Sequence, residues 1–366
     1  MKKIVFTAYN VDMGGIERAL INLLKTIDYS KNEVTLILEK KEGIFLNEIP
    51  DAVKIVEYKI SNFKFVPIRK IVNRFRLIKM ILMNYNKFDF ACCYATYSIP
   101  GSILTRYLSK NNAIWIHSDY FYLYNKNKNK MMKFFNDRHI ELFKHIVFVS
   151  QEAKENFVKI YPKLKEKLYV CNNLVDIKDI INKSKTKVLE TKPQCPLFIN
   201  IARHQEHAKK LSRLIEASLM LKKDGYAFEV WLVGSGEDSK QYEDLISKYH
   251  VQDKVKMMGA KQNPYPYLRL SDALILTSEY EGFPVVYMES LILNKPIITT
   301  LDIIIDGLYI KDNYGLISKK DSGDIYLNMK EFIDNKYIIK KAFDPSKYNE
   351  GIKQKLDLMI SNEWWI

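Results

Sequence analysis

Apolar residues in the first half of the chain gather in short dense runs at residues 3–9 (KIVFTAY), 33–38, 89–94, 113–117 and 145–150. Between these runs they return at helical intervals. A β-branched or aromatic run of about four to eight residues marks a buried strand, and recurrence at the helical period marks a helix with one apolar face. The second half repeats the pattern, with runs at residues 197–202, 227–233, 254–258, 273–276 and 296–300. Strands alternating with amphipathic helices predict βαβ units, parallel sheets and two doubly wound α/β halves. Between them, residues 176–196 are polar, Lys-rich and close on Pro193 and Pro196, the composition of a linker. The last segment, residues 344–366, has helical spacing and ends in Trp364 and Trp365.

Composition narrows the class. At 366 residues, with 47% hydrophobic and 27% charged positions, the chain is long enough for two ordinary domains and reads as ordered and globular. Its four cysteines (Cys92, Cys93, Cys171, Cys195) have no metal-ligand spacing, so reduced thiols in a cytoplasmic protein are expected. The N-terminal MKKIVFTAYN has only a short apolar run, which is the first strand and not a signal peptide. No apolar stretch approaches the roughly 18 residues of a membrane-spanning helix.

The formal charge of +14 predicts an anionic partner. Between residues 64 and 87 stand seven cations (Lys64, Arg69, Lys70, Arg74, Arg76, Lys79, Lys87) and no acid. Ile68, Ile71, Val72, Phe75, Ile78 and Leu82 recur there at helical spacing. Two readings fit: a helix lying on an anionic membrane, with Arg69, Lys70, Arg74, Arg76 and Lys79 facing lipid or acceptor, or an ordinary helix packed on a sheet with a solvated basic face. A second basic run, NKNKNKMMK at 125–133, reads as a loop. Nucleic acid is not an expected partner, because no recognition motif accompanies the charge.

The densest chemistry lies at residues 278–290, SEYEGFPVVYMES, where Glu281 and Glu289 have seven residues between them. Gly282 and Pro284 make a loop leading into an apolar run, so Glu281 falls at a loop edge and Glu289 inside a helix. Such a loop lets a ligand approach the backbone, and the helix start offers free N–H groups to an anion. In the first half, DMGGIERA (12–19) puts Gly14 and Gly15 at a strand-to-helix turn, where a diphosphate or acceptor group can come close. In the second, NIARHQEHAKKLSRLIEA (200–217) carries Arg203, which can fork onto phosphate oxygens, and Lys209, a point charge, with Lys210 the alternative one register away. His117 ends the apolar strand of IWIHSD (114–119). The other histidines, His139, His145, His204, His207 and His250, form no ligand set and read as surface or loop residues. No Asp-x-Asp triplet that could hold a divalent metal at a strand end occurs.

The 281–289 segment EGFPVVYME resembles the E-x7-E signature of retaining, GT-B-fold glycosyltransferases of family 4. Gly259, NPYPY (263–267), SDA (271–273) and KPIITT (295–300) follow that family's order. The resemblance implies two Rossmann-like domains with the site in the cleft between them. Residues 1–185 would bind the acceptor, with a C-terminal helix (346–366) crossing back onto them, and residues 190–345 would bind the nucleotide sugar. It further implies that Glu289 holds the ribose, that Glu281 holds the donor sugar, and that Gly282, Phe283 and Pro284 line sugar and phosphate. Gly234 and Gly236 of VGSGE (233–237) and Gly259 would border the nucleotide, and His117 would stand beside the donor sugar. The sequence departs from the family at NLVD (173–176), where relatives carry Asn-Gly-Val-Asp; the turn into the linker is thus in doubt, the chemistry not.

The reading is therefore a metal-independent, retaining hexosyltransferase without cofactor, peripheral on the inner face of the cell membrane. It takes a nucleotide sugar, a UDP-sugar above others, to a glycan or lipid-linked saccharide in bacterial cell-surface polysaccharide synthesis. A nucleotide-sugar epimerase of the same fold and a turnover-deficient partner subunit are the alternatives.

Overall fold

The computed structural model describes every residue except Met13, Asp306, Lys336, Ile338 and residues 364–366, so the terminal tryptophan pair lies outside the described residues. The chain divides into two α/β units, Met1–Val175 with Asn349–Ile366, and Asp176–Tyr348.

In the first unit, β1 (Lys2–Ala8), β2 (Asn32–Leu38), β3 (Val53–Glu57), β4 (Phe90–Cys93), β5 (Asn112–Ile116), β6 (His145–Phe148) and β7 (Leu168–Val170) form one sheet. Its order is β3-β2-β1-β4-β5-β6-β7, and every pairing is parallel. Central strands such as β4 and β6 are buried at every residue, as a sheet covered by helices on both faces requires. The order reverses between β1 and β4.

The second unit repeats this plan. Its strands β8 (Leu197–Ile201), β9 (Glu229–Val233), β10 (Val255–Gly259), β11 (Ala273–Leu276) and β12 (Ile297–Thr299) are joined, after a small hairpin of β13 (Ile304–Ile305) and β14 (Leu308–Tyr309), by β15 (Gly315–Ile317). The order β10-β9-β8-β11-β12-β15 is again a parallel sheet that reverses beside its first strand. Leu214, Ile215 and Leu221 of helix Leu211–Lys223 and Ile325, Met329 and Phe332 of helix Ser322–Asn335 cover one face.

Three differences from the sequence reading have physical causes. Residues 177–184 of the expected linker form a helix, Ile177–Ser184, N-capped by Asp176, whose Oδ1 accepts from Asp179 N at 3.0 Å. Asn263 Nδ2 donates to the Lys183 carbonyl at 2.9 Å, fastening this helix to the second unit, so the division falls at Val175 and not near residue 185. The basic run at 125–133 is mostly helical, within Lys128–Asn136, because Asn127 caps it and Met131 and Phe135 bury a face. The C-terminal helix spans Pro345–Ser361. Its Asn349 exchanges two hydrogen bonds with the Val175 backbone, at 3.1 and 2.7 Å, and Ile352, Leu356 and Met359 are buried.

Candidate functional site

Loops at the carboxyl ends of parallel strands diverge where the strand order reverses, and ligands of doubly wound sheets bind there. In the second unit that point lies between β8 and β11. Asn200, near the end of β8, donates Nδ2 to the Ile275 carbonyl of β11 at 2.8 Å and ties the two strands together just before their loops separate. The β8 loop carries Arg203 and leads to Lys209; the β11 loop carries Glu281 and leads into the helix Val285–Ile292, which holds Glu289.

Lys209 Nζ lies 2.6 Å from Glu281 Oε1, and Ser278 Oγ donates to the same oxygen at 2.6 Å. The geometry distinguishes the two lysines: Lys209 reaches Glu281, whereas Lys210 pairs with Glu206 at 3.6 Å. Lys210 takes a left-handed conformation (φ 50°), which breaks the short helix Glu206–Lys209 from Leu211–Lys223. For a non-glycine residue this costs roughly 1–2 kcal/mol. Thr277 at the end of β11 supports the break by donating Oγ1 toward the Lys209 and Lys210 carbonyls, at 2.9 and 3.0 Å. Glu289 Oε1 accepts from Tyr265 OH at 3.0 Å. Phe283 and Pro284 are buried, and Pro284 caps helix Val285–Ile292 without a side-chain acceptor, leaving its first N–H groups to a ligand.

Arg203 is exposed and has no hydrogen bond or ion pair among the described residues. Beside the pair, Glu279 meets Arg213 at 2.6 Å and Lys320 at 3.5 Å. Burial acts to raise the Glu279 carboxyl, yet these cations hold it below its ordinary value. The loop end therefore offers one uncommitted guanidinium and one lysine shared with a carboxylate, a charge pattern that can receive a phosphate and a hydroxylated ring side by side.

The glycine turn after β9 is fixed by packing. A Cβ on Gly234 (φ 147°) would stand 1.9 Å from the Ala202 carbonyl oxygen, and one on Gly236 would stand 2.2 Å from that of His204. Both glycines thus allow the turn to lie against the Arg203 loop. His204 lies in the loop after β8, as one of the two expected settings, but is buried there and not at the surface. Its Nδ1 meets Ser239 Oγ at 2.8 Å, and that hydroxyl accepts from Gly236 N at 3.0 Å. Gly259 (φ 68°) ends β10, its carbonyl accepting from Gly234 N at 3.0 Å.

In the first unit, His117 follows β5, its ring centroid 4.5 Å from that of Tyr94. Burial pushes its pKa down to about 3, so the imidazole is neutral near pH 7. Its Nε2 is buried without a hydrogen-bond partner among the described residues. Asp119 steadies the following turn, accepting from Phe121 N at 3.0 Å and Asn156 Nδ2 at 2.7 Å. His145 is also interior, its Nε2 2.9 Å from Asn111 Oδ1, again unlike its expected place. Gly14 and Gly15 open the helix Gly15–Thr26 at the end of the loop after β1. A Cβ on Gly15 meets nothing within 4 Å, while Glu17 turns back over Gly14, its Oε2 2.0 Å from where a Cβ would stand. A carboxylate therefore already lies over this helix start, and its Oε1 accepts from Tyr97 OH at 2.9 Å.

Sequence reading missed Tyr265, Ser278, Thr277 and Ser239. Tyr265 and Ser278 stood inside segments already singled out, but nothing in spacing alone pairs a hydroxyl with one of two glutamates.

Two parallel sheets of one strand order, with Arg203, Lys209 and Glu281 on the loops at the switch point of the second, define a two-domain α/β protein of the GT-B class. Residues 13–179 match Glycosyltransferase Family 4, and residues 182–357 match Glycosyl transferases group 1. The chain belongs to this family of GT-B-fold glycosyltransferases. It is similar to an uncharacterized glycosyltransferase of Methanocaldococcus jannaschii, 26% identical over 60% of this chain and 62% of that protein, less than two thirds of its length. It is also similar to the N-acetylgalactosamine-N,N'-diacetylbacillosaminyl-diphospho-undecaprenol 4-alpha-N-acetylgalactosaminyltransferase of Campylobacter jejuni, 24% identical over 82% of this chain and 81% of that one. Among solved structures, Anabaena HepE in complex with UDP superposes with a TM-score of 0.71 at 15% identity, over 98% of this chain and 100% of that chain, a likeness of fold.

Proposed function

We propose that the protein is a retaining, metal-independent glycosyltransferase. It moves a hexose or N-acetylhexosamine unit from a UDP-sugar to a glycan acceptor, lipid-linked, in bacterial cell-surface polysaccharide synthesis. The observation that carries this reading is the Lys209–Glu281 pair at the β8/β11 switch point, with Arg203 exposed on the same β8 loop. The Campylobacter relative is named for a diphospho-undecaprenol acceptor, and HepE was solved with UDP. Both guide which substrates are tried first.

In this proposal Glu289, oriented by Tyr265, accepts the ribose hydroxyls, and Glu281, oriented by Ser278, accepts hydroxyls of the donor sugar. The bond from the anomeric carbon to the diphosphate breaks, and charge grows on the departing oxygen. Arg203 and Lys209 meet that charge, and their attraction strengthens as the bond lengthens. The acceptor hydroxyl attacks from the face the diphosphate leaves and gives its proton to a departing phosphate oxygen. Same-face attack retains configuration without a protein nucleophile. His117, neutral at working pH, adds no fixed charge to the first unit.

The acceptor side belongs to the first unit, and the enzyme works from the cytoplasm at the inner membrane face. Among the described residues no helix is long and apolar enough to cross a membrane. The test is free nucleotide released from a panel of UDP-, GDP- and ADP-sugars in EDTA, with and without lipid extract. Release from one donor, raised by lipid and lost in Glu289→Ala, supports the proposal. Nucleotide binding without release from any donor contradicts it and favours an epimerase or an inactive partner.

A further inference from the structure

Helix Val66–Asn84 contains no fully buried residue, although it is 19 residues long. It has two apolar faces. One, Leu77, Met80 and Ile81, packs half-buried against Leu104 and Leu108 of the first unit. Tyr58 OH, donating to the Asn73 carbonyl at 2.5 Å, and Ser61 N, donating to Asn73 Oδ1 at 2.7 Å, fix which face points inward. The other face is the stripe Ile68, Ile71, Phe75, Ile78 and Leu82, spaced by three and four residues along one side. It points to water: Ile71 is 56% exposed, Phe75 70% and Leu82 74%, with Phe63 and Phe65 bare just ahead of the helix. The stripe for which the sequence left membrane and sheet packing both open is therefore left uncovered, and one helix of a soluble domain ordinarily carries a single apolar stripe.

Charge says what covers it. Lys70 and Arg74 border the stripe on one side and Arg69, Arg76 and Lys79 on the other, with no carboxylate from residue 64 to 87. Arg76 also donates to the Lys59 carbonyl, which holds its base to the unit. A second copy of the chain pairing through this stripe would set cations against cations. An anionic bilayer receives both parts at once, apolar side chains at the acyl boundary and cations at the phosphates. We infer that Val66–Asn84, with Phe63 and Phe65, is an in-plane docking surface for an anionic lipid bilayer, seated by the stripe from Ile68 to Leu82. The inference deepens the proposed function and rests on it only for what the docked enzyme does there.

The test floats the full chain with vesicles of phosphatidylcholine alone or mixed equally with phosphatidylglycerol, and measures nucleotide release by the same wild-type preparation without vesicles. Two variants are compared, Ile71→Ser/Phe75→Ser/Leu82→Ser and Arg69→Gln/Lys70→Gln/Arg74→Gln/Lys79→Gln, their folding checked by circular dichroism. Wild type binds the anionic vesicles and not the neutral ones. The charge variant loses about a thousandfold in partition, and the stripe variant also detaches. Equal binding to both vesicles, or retention by either variant, overturns the inference. So does a dimer in light scattering that the stripe variant dissolves, which would assign the face to a second copy. Failed vesicle binding with intact nucleotide release removes this inference alone, whereas binding without release removes the proposed function alone.

Discussion

Glu281 is held from two sides, by the Lys209 ammonium and the Ser278 hydroxyl, so its carboxylate is aimed before a ligand arrives. Ser278→Ala removes one of these contacts and leaves the charge pair. It should lower turnover about fivefold, the worth of one net hydrogen bond, with little change in melting temperature. Tyr265→Phe should act differently, raising the KM for donor about fivefold with kcat nearly kept, because it loosens the carboxylate proposed to hold the ribose. Steady-state kinetics separate the two. Gly236→Ala places a methyl against the His204 carbonyl and should cost about 2–3 kcal/mol in urea unfolding, whereas Gly15→Ala, with open space around it, should be close to neutral. Glu281, Glu289 and Lys209 were legible because each falls in a local pattern tied to a loop or helix start. Their partners were not, since Tyr265 stands 24 residues from Glu289 and only the folded β11 and β8 loops bring Thr277 to Lys209.

At the scale of elements, the strands read from the sequence are those with dense apolar runs, such as β1, β6 and β11. The strands missed in the main sheets, β3, β7 and β15, are all sheet edges. An edge strand is short and covered on fewer sides, so its pattern is weaker: β3 reads VKIVE with only Val53 buried. Helix Val66–Asn84 was legible as a helix but not as two-faced, because its inner face is chosen by Asn73 and the Tyr58 loop rather than by its longest apolar stripe. The C-terminal helix gives the clearest energetic test. Met359 is fully buried against the first unit, so Met359→Ala should destabilise that unit by about 2–5 kcal/mol, seen as a lower urea midpoint.

Across the whole molecule, buried histidines set an acid limit, His117, His145 and His204 all being lowered by burial. Burial pushes His117 down to about 3 and His145 to about 4, both below the ordinary 6.5. When the chain unfolds these groups regain that ordinary value, so between about pH 6.5 and pH 4 the unfolded state binds more protons. Their contribution to stability is therefore complete above about pH 6.5 and is lost as the pH drops toward these folded values. Urea midpoints should decline steadily from neutrality to about pH 5, and His117→Gln/His145→Gln should flatten that slope. The second unit was the easier half to read because its candidate residues fall in two contiguous segments, 200–217 and 278–290, whereas Gly14, His117 and the stripe of the first unit are dispersed.

The central claim is that Lys209 and Arg203 stabilise a diphosphate leaving from a sugar. It is tested most directly by the rate of nucleotide release from the accepted donor, in EDTA, for wild type, Lys209→Ala and Arg203→Ala proteins of matched stability. The account predicts release by wild type and a fall in kcat of about a hundredfold or more in each variant, the scale for loss of one fixed transition-state charge. Release that stops in EDTA, or that persists unchanged in both variants, would contradict it.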